Sequence, residues 1–152
     1  MKTLSLKTLK SQTLSQVESM VTPEDDRAET VSYPEPLPQA PKTLIIIPAY
    51  NEGKNIGAVL DGIQKHFPEI PILVINDGSS DNTETIAQQH NAEVISLPCN
   101  SGYGVALQTG FLYAVKNNYS LVVQMDSDGQ HDPENIAVLL EEAQKDDCDV
   151  VI

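Results

Sequence analysis

SLVVQMDSDGQHDPENIAVLL, residues 120–140, passes through three textures in one short run. Leu121 to Met125 is apolar but for Gln124. Such a run reads as a strand buried on both faces, as parallel sheets require. Asp132-Pro133-Glu134 then gives a helix start: a capping acid, proline at the first position and an acid in the first turn. Ile136, Leu139, Leu140 and Ala143 supply the buried stripe of that helix. Between strand and helix stand Asp126 and Asp128, charges at the lip of a hydrophobic strand, where burial is costly.

The same alternation extends outward. TLIIIP (43–48), PILVI (71–75) and DVVI (149–152) are apolar runs of the same kind, and VISL (94–97) is a weaker one. Ile56, Val59, Leu60, Ile63 and Phe67 recur at helical spacing, and so do Ala106, Leu107, Gly110, Phe111, Ala114 and Val115. Ser79 or Ser80 offers an N-cap for a helix running to about Gln89, and Asn51 offers one for the helix before it. From residue 42 on, strands and helices alternate. The pattern predicts an α/β fold: a doubly wound, mostly parallel sheet with helices on both faces.

Residues 1–41 differ in texture. Ser, Thr and Gln fill the first twenty positions, and four prolines crowd Tyr33 to Pro41. The composition predicts a disordered, proline-rich tail or linker ahead of a domain over 42–152. Leu6, Leu9, Val17 and Met20 fall at helical spacing within it, a weaker case for a short partner-binding helix.

Charge narrows the partners. The net charge is −13, and residues 42–152 hold five lysines, no arginine and sixteen acids. That surface argues against nucleic acid and against anionic lipid. A diphosphate bound here would need a cation to neutralise it. Cys99 and Cys148 match no metal spacing and read as buried free thiols of a reducing, cytoplasmic compartment.

In an open α/β sheet, ligands bind beyond the carboxyl ends of the strands. Four polar segments belong there: PAYNE, NDGSSDN, PCNSGYG and DSDGQHD. Residues two apart in an extended segment point the same way, so Asp126 and Asp128 can aim at one spot. Two such carboxylates repel unless a cation lies between them, and hard oxygens suit Mg²⁺ or Mn²⁺. Asp126-Ser127-Asp128-Gly129 also suits a solvated turn. Asp77 can accept from a base or ribose, and equally can serve a strand-to-helix turn. Glu52 stands in the same position after the first strand. Gly102-Tyr103-Gly104 lacks the third glycine of a dinucleotide fingerprint. His131 follows the acidic pair and suits either a metal shell or a local hydrogen bond.

Taken in order, IIIPAYNE, VINDGSSDNT, NSGYGVALQTGF and QMDSDGQHDPE resemble the family 2 inverting glycosyltransferases of GT-A fold. The nearest flavour is that of the dolichyl- or polyprenyl-phosphate sugar synthases. The resemblance covers residues 43–152. It implies metal-dependent transfer of a sugar from a nucleotide-sugar donor, a UDP- or GDP-sugar, to an acceptor such as a lipid-linked phosphate. It implies Pro48, Tyr50 and Glu52 beside the nucleoside, Asp77 on the base, Asp126 on the ribose or the metal, and Asp128 on the metal and diphosphate. A lipidic acceptor implies work at the membrane periphery. DVVI is the strand at which the family's donor half ends, so the resemblance also implies a sheet truncated after its fifth strand. Either the chain is a truncated piece, or a second chain supplies the acceptor half and its catalytic base; on both readings no catalytic residue is named here. The alternatives are a non-catalytic nucleotide-binding or partner-binding module, and a nucleotidyltransferase. The last would want basic residues near the first strand, where PAYNEGKN offers only Lys54.

Overall fold

A computed structural model describes residues 2–5, 41–145 and 149–152. The strands are β1 (Lys2–Ser5), β2 (Thr43–Ala49), β3 (Ile72–Asn76), β4 (Glu93–Ser96), β5 (Leu121–Gln124) and β6 (Val150–Val151). The helices between them are α1 (Ile56–His66), α2 (Thr83–Gln89), α3 (Tyr103–Lys116) and α4 (Asn135–Ala143). They build one six-stranded sheet in the order β4-β3-β2-β5-β1-β6.

The four strands β4, β3, β2 and β5 are parallel. Their side chains alternate between two cores, as a pleat demands. Ile45, Ile47, Val74, Val123 and Met125 join Ile56, Leu60, Ile63, Ala87 and Ile136 on one face. Leu44, Ile46, Leu73, Ile75 and Val122 meet Ala106 and Ala114 of α3 on the other. Gly110 lets α3 sit close, for a Cβ there would come within 3.1 Å of Ile46 Cδ1. Helices thus cover both faces, which is why the strands read as continuous apolar runs.

After β2 the chain steps outward through β3 to β4, then returns through α3 to place β5 on the opposite side of β2. The crevice between β2 and β5 is the topological switch point, the place where such sheets bind ligands.

The structure corrects the sequence reading at several points. Lys2–Ser5, expected in a tail, is an antiparallel strand inserted between β5 and β6. DVVI therefore supplies β6, which pairs with β1, where a fifth strand of the parallel set was expected. Residues 6–40, with the proline-rich linker and the Leu6–Met20 stripe, lie outside the described residues. Neither Ser79 nor Ser80 caps α2, which starts at Thr83 after Asn82. Asn51 does not cap α1, whose N-cap position is Asn55. Asp132 accepts the Glu134 N–H at 3.0 Å in a turn before α4, which begins at Asn135. Cys99 is free but exposed, as are its loop neighbours Pro98 and Asn100, where a buried thiol was expected. Cys148 lies outside the described residues.

Candidate functional site

The loops at the carboxyl ends of the parallel strands are tied to one another by side chains. Asn51 adopts a left-handed φ of 56°. Its N–H donates to Ser79 Oγ at 2.9 Å, and its Oδ1 accepts the Ser80 N–H at 2.9 Å. The Glu52 N–H donates to Thr83 Oγ1 at 2.9 Å, and the Gly53 N–H to Asp81 Oδ2 at 3.0 Å. Thr83 in turn gives both its hydroxyl and its N–H to Asp81. The Thr83 hydroxyl is the main cause holding the Asp81 carboxyl below its ordinary value. These bonds explain why Ser79, Ser80 and Asn51 are not helix caps: their polar groups join the first loop to the second.

Asp77 ties the second loop to the third. It is 4% exposed, yet both its oxygens are used. Oδ1 accepts the Ser101 N–H at 2.7 Å and Oδ2 the Gly102 N–H at 2.8 Å. Those two amides lead directly into α3, so a buried charge sets where that helix starts.

The fourth loop meets the third through Asp126. Its Oδ1 accepts from the Tyr103 hydroxyl at 3.1 Å and from Gln124 Nε2 at 3.0 Å. His131 Nε2 lies 3.5 Å from its Oδ2. Burial first, and the bond to Asp126 second, push the Tyr103 phenol up to about 12. The phenol therefore keeps its proton and donates it to the carboxylate at neutral pH. Asp128 Oδ1 accepts the Gln130 N–H at 2.9 Å.

The result is a cleft of about 350 Å³ at the β2–β5 crevice. Pro48, Tyr50, Glu52, Asp77, Asp126 and Asp128, the six residues expected to bind, all line it. The sequence reading missed three polar contributors, Tyr103, Asn100 and Ser127. It also missed Gln124, which stands behind Asp126. A signal for Gln124 existed, since it is the lone polar side chain in an apolar strand and comes two residues before Asp126. Tyr103 carried no such signal.

Electrostatics limits what can enter. Glu52, Asp77, Asp126 and Asp128 give the cleft four carboxylates, and none of its lining residues is Lys or Arg. Lys54 and His131 line a neighbouring hollow of about 230 Å³ that shares Asp128. Among the described residues no cluster of three or more His, Cys, Asp or Glu is able to hold a metal ion alone. The donor set is instead a pair of carboxylates open to a cleft. That set fits Mg²⁺ or Mn²⁺, which commonly takes one or two carboxylates and fills the rest of its shell with water and substrate phosphate. No helix among the described residues is long and apolar enough to cross a membrane.

Comparison with known proteins agrees with this geometry. A family model described as Glycosyl transferase family 2 matches residues 44–152. The polyprenol monophosphomannose synthase of Mycolicibacterium smegmatis is 35% identical over 106 residues, which cover 66% of this chain and 40% of that protein. The UDP-N-acetylglucosamine–dolichyl-phosphate N-acetylglucosaminyltransferase of Methanococcus voltae is 33% identical over 125 residues, 71% of this chain and 49% of that one. Among solved structures, glucosyl-3-phosphoglycerate synthase from Mycobacterium tuberculosis, with Mn²⁺, UDP and glucosyl-3-phosphoglycerate bound, superimposes with a TM-score of 0.59. It is 26% identical and covers 69% of this chain and 40% of that one. The chain thus spans less than half the length of these relatives, and its fold is that of the GT-A glycosyltransferases.

Proposed function

The chain belongs to glycosyl transferase family 2, and from that premise we propose that its cleft binds the nucleoside diphosphate of a nucleotide-sugar donor. The observation that carries this reading is the convergence of six residues, from the end of β2 and three loops, on one acidic cleft at the sheet's switch point. The glucosyl-3-phosphoglycerate synthase structure, which binds UDP and Mn²⁺, supports it.

Each of these six residues has a task in this reading. The Tyr50 ring, half exposed at the mouth, packs on the base. Pro48 and Glu52 flank the nucleoside. Each Asp77 oxygen already accepts one backbone N–H, and a carboxylate oxygen has a second lone pair for the base. Asp126 faces the ribose and, with Asp128, holds Mg²⁺ or Mn²⁺. When bound, that cation supplies the positive charge on which the departing diphosphate depends. The chain's own contribution is to hold the diphosphate in place, so that an acceptor oxygen can replace it at the anomeric carbon. Relatives are named for transfer to polyprenol and dolichyl phosphates, so the acceptor class assigned here is a lipid-linked phosphate.

The test is titration calorimetry of the chain with UDP and GDP, each in Mn²⁺ and again in EDTA, beside Asp128→Ala. Mn²⁺-dependent binding that the variant loses is the expected result, and the preferred base narrows the donor. A folded chain that binds neither nucleotide in Mn²⁺ overturns the reading.

A further inference from the structure

Three side chains close a hydrogen-bonded ring beneath the cleft. Gln124 Nε2 lies 2.9 Å from Tyr103 Oη and 3.0 Å from Asp126 Oδ1, and Tyr103 Oη lies 3.1 Å from that same Oδ1. The proton count closes. The amide nitrogen has two protons, one for the phenol oxygen and one for the carboxylate. The phenol has one proton, and it goes to the carboxylate. The reverse amide orientation would set the Gln124 oxygen against a carboxylate, so the ring fixes that orientation too.

The ring treats the two oxygens of Asp126 differently. Oδ1 receives two donors, which use both of its lone pairs. Oδ2 takes no hydrogen bond among the described residues, and only His131 Nε2 approaches it, at 3.5 Å. The ring also stands on rigid parts. Gln124 is 5% exposed and ends β5. Tyr103 is the first residue of α3, and the preceding amide is held by Asp77. Hydrogen bonds of this kind, behind a ligating carboxylate, orient it for its metal.

We propose that Tyr103 and Gln124 lock the carboxylate of Asp126 so that Oδ2 alone is presented to a divalent cation. This makes Tyr103 a positioning residue for the metal half of the donor site. The inference rests on the donor-site reading above. It distinguishes Asp126 from Asp128, whose Oδ1 is held by a loop amide alone among the described residues. Tyr103 is 54% exposed, so removing its hydroxyl leaves the core intact.

The experiment is calorimetric titration of wild type, Tyr103→Phe, Asp126→Asn and the double variant. Each is titrated with Mn²⁺ alone, with UDP in Mn²⁺ and with UDP in EDTA. The expected result is that Tyr103→Phe weakens Mn²⁺ binding, and UDP binding in Mn²⁺, by about 10- to 100-fold, the usual loss for a partner behind a metal ligand. UDP binding in EDTA stays at the wild-type value. In the Asp126→Asn background the tyrosine change has no further effect. An equal loss with and without metal means the hydroxyl only supports the cleft, and overturns the proposal. So does a Tyr103→Phe chain that binds Mn²⁺ as wild type does. Wild type without Mn²⁺-dependent binding overturns the donor-site reading and this inference together, whereas normal wild-type binding with an indifferent Tyr103→Phe overturns this inference alone.

Discussion

The N–H of Gly102 points at Oδ2 of Asp77 across 2.8 Å, joining the end of β3 to the start of α3. Asp77 Oδ1 takes the neighbouring Ser101 N–H at 2.7 Å. Asp77→Ala removes both acceptors from a position that is 4% exposed. Gly102 keeps a second acceptor in Asn100 Oδ1 at 3.2 Å. Ser101 has no second acceptor among the described residues. Hydrogen bonds to a charged group contribute about 1.5–3 kcal/mol each, and an unsatisfied buried donor costs a similar amount. The expected loss is roughly 2–3 kcal/mol, read from the urea midpoint. Asp77→Asn, which keeps one acceptor but turns an NH₂ toward an N–H, falls between wild type and alanine.

Two glycines near this junction respond with opposite signs. Gly78 has φ +67°, and a Cβ there would lie 2.4 Å from the Cys99 carbonyl carbon and 2.6 Å from Asn100 N. Both obstacles are backbone and cannot swing aside. Gly78→Ala therefore combines a left-handed penalty of about 1–2 kcal/mol with a clash, and loses more than about 2 kcal/mol by thermal unfolding. Gly104 lies in the first turn of α3, and a methyl group placed there would meet nothing within 4 Å. Gly104→Ala gains about 0.5–1 kcal/mol by restricting the unfolded chain, seen as a higher Tm.

How much of this could be read beforehand follows from where each contact is encoded. The strand runs of β2, β3 and β5 were legible because burial on both faces leaves no polar position to confuse the period. Asp126 and Asp128 were legible because charges at a strand's lip are costly without a use. β1 was not, because KTLS has one large apolar side chain and owes its strand to its neighbours, β5 and β6. The caps assigned to Asn51, Ser79 and Ser80 failed for a related reason. A polar side chain near a helix start bonds whichever polar group is closest, and here Asn51 and Ser79 accept amides of the adjoining loop while the Ser80 hydroxyl donates to Asn51 Oδ1. Tyr103 was hidden because a tyrosine between two glycines says nothing about a carboxylate that only the fold brings to it.

In the C-terminal half of α3, Tyr113 donates to Glu93 Oε2 at 2.6 Å. That bond, with burial second, pushes the phenol up from 10.0 to about 12. A folded-state value above the unfolded one means the protonated form is favoured by folding. The contribution is complete below the unfolded value of 10.0 and is lost as pH rises through about 12. Tyr113→Phe is expected to be less stable than wild type at neutral pH. The gap should close between about pH 10 and 12, where only wild type forfeits the bond. Urea titrations at several pH values in that window check it, and a gap that stays constant would mean that the phenol's proton is not involved.

The last prediction concerns the strand that the sequence concealed. Thr3 of β1 pairs with Val123 of β5 on one side and Val151 of β6 on the other. β1 thus covers the edge of β5, whose residues are all buried, and β6 has no other strand partner among the described residues. A proline has no N–H to give either neighbour and is confined to strand edges. Thr3→Pro should therefore remove the one ladder hydrogen bond that this N–H makes, at about 0.5–1.5 kcal/mol, and loosen β1 between its two neighbours. The larger consequence is kinetic and colloidal. An uncovered, flat, apolar strand is a template for another chain. The variant should show faster hydrogen exchange in β5 and concentration-dependent association in sedimentation velocity. Thr3→Ala, which keeps its N–H, should behave as wild type in both. If Thr3→Pro matches wild-type exchange in β5 and stays monomeric, the closing of this sheet edge does not depend on β1.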